Sequence, residues 1–209
     1  MKLQIALDEM TLGEGMALCE KVRKSIDIIE MGTPFLMKYG AFAIREFKNA
    51  FPEKEILADV KIMDAGEYEA KICFDAGADY VTVLGVTDSL TVKGCLVEAN
   101  KMGRAVVVDM ICVQDLEKRV HELENLGVKH IAVHTGVDQQ AAGRTPKDDL
   151  RQMKNCAKKA FISVAGGINV DTIDEYKALG ADVAIVGGGI AHASDPADAA
   201  YQLASRCHA

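Results

Sequence analysis

A chain of 209 residues, 49% hydrophobic and 26% charged, falls in the ordinary globular range and is long enough to bury one sizeable core, so one domain spanning 1–209 is expected. A formal net charge of -7, with no block of consecutive basic residues, excludes a nucleic-acid or anionic-membrane surface as the working face and leaves small molecules or other proteins as partners. No apolar run approaches the ~20 residues needed to span a bilayer, and MKLQIALDEM is too short for a signal-peptide core, so a cytoplasmic address is expected.

The first strand expected is LQIAL (3–7), which ends at Asp8, and the second is IDIIE (26–30), which ends at Glu30. AFAIREFKNAF (41–51) follows, with apolar residues at three- and four-residue steps as an outer helix requires. EILADVK (55–61) is the third strand; it begins apolar yet carries Asp59 and Lys61, with Asp64 in the loop beyond. Two residues apart on a strand, Asp59 and Lys61 are expected on one face. YVTVL (80–84) and AVVVDM (105–110) are strands four and five, the latter bringing Asp109. DLEKRVHELENLG (115–127) reads as another outer helix, and HIAVH (130–134) is strand six, ending at His134. GVDQQAAGRT (136–145) is the longest irregular stretch expected. FISVA (161–165) and VAIVG (183–187) close the series, each running into a glycine cluster, VAGGI and VGGGI.

Four of the strands follow a helix end punctuated by glycine, at Gly77, Gly103, Gly127 and Gly180, where the left-handed C′ position favours that residue. The repeat is one strand plus one helix. Strands so uniformly apolar are covered on both faces and pair in parallel. Eight such units close into a (β/α)8 TIM barrel; the open doubly wound alternative is disfavoured because no GxGxxG follows the first strand. The six cysteines have no CxxC or metal-finger spacing and are read as buried thiols.

In a barrel of this kind the active site lies at the C-terminal strand ends. Asp8, Glu30, Asp59, Lys61, Asp109 and His134 all fall there. Buried ion pairs stabilise poorly, so a cluster of this size at that end is read as functional and not as structural glue. Glu30 and Asp59, on neighbouring strands, suit Mg2+ as hard oxygen ligands. Lys61, kept protonated by Asp59, suits an oxyanion, and His134 suits a base. His130 begins its strand at the opposite end, and His121, His192 and His208 are given no chemistry. Gly166 and Gly167 after strand seven, with Gly188 and Gly189 after strand eight, are expected to bind a phosphate through backbone N–H groups. A phosphate, a divalent metal and a base together point to proton abstraction beside a carbonyl.

With DxKxxD placed as Asp59, Lys61 and Asp64, the chain resembles the orotidine 5′-monophosphate decarboxylase suprafamily. The likeness runs along nearly the whole chain, through LQIALDEM, IIEMGTPF, LADVKIMDAGEYEA, VHTGVDQQAAG, VAGGI and VGGGI. It implies Mg2+ on Glu30 and Asp59, substrate contacts from Asp8 and Lys61, proton transfer by His134, and Asp64 entering the site of the opposite subunit in a homodimer. Its decarboxylase branch, acting on 3-keto-L-gulonate 6-phosphate, carries Glu, Arg, Thr and Arg at positions that are here Asp109, Val137, Ala165 and Gly188. These four agree instead with the branch that condenses formaldehyde with D-ribulose 5-phosphate through a 1,2-enediolate. Ribulose-phosphate 3-epimerase is disfavoured because it needs paired His and Asp ligands. A phosphosugar-binding barrel without chemistry is the non-enzyme alternative.

Overall fold

The computed structural model describes residues 1–209 as a closed barrel of eight parallel strands in the order β1 to β8, with β1 pairing both β2 and β8. In chain order the elements are β1 Lys2–Leu7, α1 Leu12–Val22, β2 Ile28–Met31, α2 Thr33–Ala50, β3 Glu55–Ile62, α3 Gly66–Asp75, β4 Tyr80–Leu84, α4 Ser89–Met102 and β5 Ala105–Asp109. They continue with α5 Leu116–Leu126, β6 His130–His134, α6 Val137–Ala141, α7 Lys147–Cys156, β7 Phe161–Ala165, α8 Ile173–Ala178, β8 Val183–Val186, α9 Gly188–Ala191 and α10 Pro196–His208. No helix is long and apolar enough to cross a membrane.

The local signals explain these boundaries. Thr11 opens α1 with a capping box, its hydroxyl accepting from the Glu14 N–H while the Glu14 carboxylate accepts from the Thr11 N–H at 2.7 Å. Asp88, Asp115 and Asp195 cap α4, α5 and α10 with their carboxylates. Gly77, Gly103, Gly127 and Gly180 all have positive φ, as the strand-helix grammar required. The helix expected over 41–51 belongs to a longer element, Thr33–Ala50, broken at Gly40, where φ is 56°. The stretch after β6 is not wholly irregular: it holds α6, because Gln139 reaches back to accept from the Gly136 N–H at 3.1 Å and closes a helical turn.

A large apolar core fills the space between strands and helices, with Ile5, Ile29, Ile56, Val81, Val108, Ile131, Val164 and Ala184 pointing outward from the sheet. The inward positions alternate with these. Ile28, Leu57, Val107, Ala132 and Val183 form a small second core inside the barrel. Below it His130 stacks on Phe161 and meets Tyr80 edge-on, both at 5.5 Å between centroids, which places His130 at the opposite end from His134. Five cysteines are buried; Cys112, expected as a buried thiol, is instead exposed, because it lies on the loop after β5 at the barrel mouth.

β3 departs from regular pairing. Its register with β4 jumps from Ala58↔Val81 to Ile62↔Val83, and Lys61 takes a left-handed φ of 51°. Asp59 and Lys61 both line the cavity while Val60 between them packs against the outer core, so the two-residue period expected from the sequence holds through a bulge that adds two residues and leaves the facing parity unchanged.

Candidate active site

Above the inner apolar layer the inward side chains become polar, and the C-terminal mouth opens as a cavity of about 840 Å³. Asp8, Glu30, Asp59, Lys61, Asp109 and His134 all line it, so six ionisable residues from β1, β2, β3, β5 and β6 or their ends meet in one space. Asp64 does not: it is exposed on the loop after β3, its carboxylate accepting from the Ala65 N–H at 2.7 Å.

Lys61 is at the centre of the charge network. Its ammonium pairs with the Asp59 carboxylate and lies 3.6 Å from Asp109 Oδ2 and 3.1 Å from the Thr33 hydroxyl. Burial works to lower the Lys61 pKa, but the Asp59 charge and hydrogen bond, with Asp109 and Glu30 behind them, prevail and raise it. Lys61 is a fixed cation. The Asp59 carboxylate is held on both oxygens: Thr82 donates to Oδ1 at 2.8 Å, and the Thr33 hydroxyl is 3.0 Å from Oδ2.

Asp109 is 2% exposed, and its Oδ2 lies 2.8 Å from His134 Nδ1. Burial opposes its ionisation, yet the His134 hydrogen bond and charge, Lys61 and the Ile111 N–H at 2.9 Å together lower its pKa. An ionised Asp109 can only accept, so Nδ1 carries the proton, and in the neutral form of the ring the lone pair lies on Nε2. That is the tautomer a general base at the cavity wall requires.

Glu30 is buried and accepts from Gln4 Nε2 at 2.5 Å. Burial first, then the Asp59 charge, push its carboxyl well up; Asp8 is raised for the same two reasons in the same order. No three or more His, Cys, Asp or Glu residues form a ready-made metal cage. The donor set nevertheless fits Mg2+, which is commonly held by one or two carboxylates and completes its shell with water and substrate oxygens. Glu30, whose carboxyl is pushed up partly by the Asp59 charge, and Asp59 itself are the pair a divalent cation would relieve.

The two glycine clusters form the opposite rim, with Gly166, Gly167, Gly188 and Gly189 all lining the cavity. Gly166 and Gly167 have φ of 126° and 67°, which side chains with a Cβ rarely adopt. None of the four N–H groups donates within the turn, loop and cap hydrogen bonds of the backbone. Four such donors at one rim suit an anion.

The structure adds residues that the strand ends did not point to. Gln4, Thr82 and Ser163 lie one or more positions below the ends, inside strands, and Thr33 starts α2; all four line the cavity. An inward parity count from Asp59 and Asp109 would have found Thr82, but not Thr33, which has no strand register. His192, given no chemistry from the sequence, lines the rim at the end of α9 beside Gly188.

The family profile described as "Orotidine 5'-phosphate decarboxylase / HUMPS family" matches residues 1–203. A 3-hexulose-6-phosphate synthase from Bacillus subtilis is 46% identical over 203 residues, covering 97% of each chain. The crystal structure of a 3-hexulose-6-phosphate synthase from Salmonella typhimurium superimposes with a TM-score of 0.98 at 55% identity, covering 100% of this chain and 99% of that one. A crystal structure of KGPDC from Streptococcus mutans has a TM-score of 0.91 at 26% identity over 99% of this chain and 97% of its own.

Proposed function

The chain belongs to the orotidine 5′-phosphate decarboxylase / HUMPS family, and we propose that it joins formaldehyde to D-ribulose 5-phosphate, giving D-arabino-hex-3-ulose 6-phosphate through a 1,2-enediolate. The observation that carries the chemistry is the Asp109–His134 pair beside Lys61: an oriented base and a fixed cation at one cavity wall. The choice of substrate is supported by nearness to the relatives named synthase over the KGPDC structure.

In this reading the substrate phosphate sits on the N–H groups of Gly166, Gly167, Gly188 and Gly189, which leaves C1 and C2 at the carboxylate end. His134 Nε2 removes a proton from C1. The Lys61 ammonium stabilises the charge that moves onto the C2 oxygen, and the electron pair of the enediolate then forms the bond from C1 to the formaldehyde carbon. The new alkoxide takes the proton back from His134, which resets the base. Asp8 hydrogen-bonds the substrate on the same wall. Mg2+, held by Glu30 and Asp59, would supply a Lewis acid for the substrate oxygens.

Val137, Ala165 and Gly188 all line the cavity, so the positions that the resemblance gives to Arg, Thr and Arg in the decarboxylase branch present no side-chain cation here. Asp64 completes the proposal as a contribution to the site of a partner copy: it lies outside its own cavity, near the exposed apolar side chains of Met63 and Tyr68. The purified protein should consume formaldehyde only with ribulose 5-phosphate, lose this activity in EDTA, and release little CO2 from 3-keto-L-gulonate 6-phosphate. Dominant CO2 release would move the assignment to the decarboxylase; loss of neither substrate would leave a binding barrel.

A further inference from the structure

We propose that Thr82 is a positioning residue for this reaction: its hydroxyl locks the β3 bulge that brings the Asp59 carboxylate and the Lys61 ammonium into the cavity together. Between the pairs Ala58↔Val81 and Ile62↔Val83 the bulged strand runs through Asp59, Val60 and Lys61 where β4 has Thr82 alone. A bulge disrupts the ladder, and its backbone groups must find other partners or stay unsatisfied. The Lys61 N–H finds Thr82 Oγ1 at 2.9 Å, and the same hydroxyl donates to Asp59 Oδ1 at 2.8 Å.

These two bonds use the hydroxyl in both senses. Its hydrogen is directed at an acceptor-only carboxylate, which turns a lone pair toward the Lys61 N–H. Lys61 sits at a φ of 51°, a conformation that persists only where the surroundings impose it. Thr82 is 5% exposed, so solvent is poorly placed to substitute for it. Thr33 does not duplicate the role, since its hydroxyl meets Asp59 and the Lys61 ammonium and makes no bond to the Lys61 N–H. Thr82 thus ties the Asp59 carboxylate to the Lys61 backbone, while Thr33 meets the ends of the two charged side chains.

The role rests on the function proposed above for its kinetic readout and on the backbone for a second one. Thr82→Val keeps the shape and removes both bonds; it should lower kcat by about tenfold or more while KM for ribulose 5-phosphate moves by less than about threefold. Exchange of the Lys61 amide hydrogen, followed by NMR, should accelerate by about tenfold or more in the same variant. Thr82→Ser, which retains the hydroxyl, should return both quantities to near wild type. If the valine variant does not fold, Thr82→Cys, a weak donor and acceptor, takes its place under the same criteria. The proposal is overturned if either quantity stays within about twofold of wild type, or if serine is as impaired as valine. A wild-type protein without formaldehyde-consuming activity would sink the function and leave the amide exchange to decide the bulge.

Discussion

Glu30 brings a carboxyl into the barrel interior with one amide donor, Gln4, and two acidic neighbours, Asp59 and Asp8. Its folded pKa, raised by burial and then by Asp59 to about 8, lies above the ordinary 4.5. Between those two values the unfolded chain gives up a proton that the folded chain keeps, so without metal this group makes stability fall as pH rises through the window. Glu30→Gln removes the titration. In EDTA, the fall in melting temperature from pH 5 to pH 8 should be smaller for the variant than for wild type, and added Mg2+ should restore wild type at pH 8 but not the variant. Identical pH slopes for the two proteins would contradict the perturbed carboxyl, and an equal Mg2+ response would remove Glu30 from the proposed metal site. Asp109 works in the opposite sense. Its lowered pKa makes a contribution that is present above the ordinary carboxylate range and is lost as pH falls through the folded value.

At the scale of elements, the glycine loops show how much of the site is backbone. A side chain at 166 would have to accept a φ of 126° and would place a Cβ 3.2 Å from the Thr135 carbonyl oxygen. Strain of this kind costs on the order of 1–3 kcal/mol, and the loop can relieve it by turning its N–H groups away from the cavity. Gly166→Ala should therefore raise KM for ribulose 5-phosphate by about tenfold with a smaller effect on kcat, measured by steady-state formaldehyde consumption. An unchanged KM would place the phosphate elsewhere. These loops were legible because glycine at two successive strand ends is a direct statement about backbone. The β3 bulge was not: DVK reads as ordinary alternation, and only the pairing with β4 reveals that Lys61 is left-handed. The short helix after β6 escaped for a related reason, since it is held by the Gln139 side chain folding back on Gly136 and not by an apolar stripe.

For the molecule as a whole, apolar strands and glycine-ended helices were enough to read the barrel, because parallel pairing buried on both faces leaves few other closures. Strand ends then located Asp8, Glu30, Asp59, Lys61, Asp109 and His134 in one cavity. The chain could not announce Gln4, Thr33, Thr82 or Ser163, which are uncharged and work as partners of the charged set or as lining. The barrel brings a proton acceptor, a fixed cation and an anion-suited rim to one mouth, where the proposed reaction makes a nucleophile of ribulose C1. The most direct test is a carbon NMR spectrum of the protein with Mg2+, ribulose 5-phosphate and 13C-labelled formaldehyde. The label is expected to leave the formaldehyde signal and appear at the C1 hydroxymethyl of a hex-3-ulose 6-phosphate, bonded to the former C1 of the pentose. Label that stays in formaldehyde while the pentose phosphate remains intact would contradict the account.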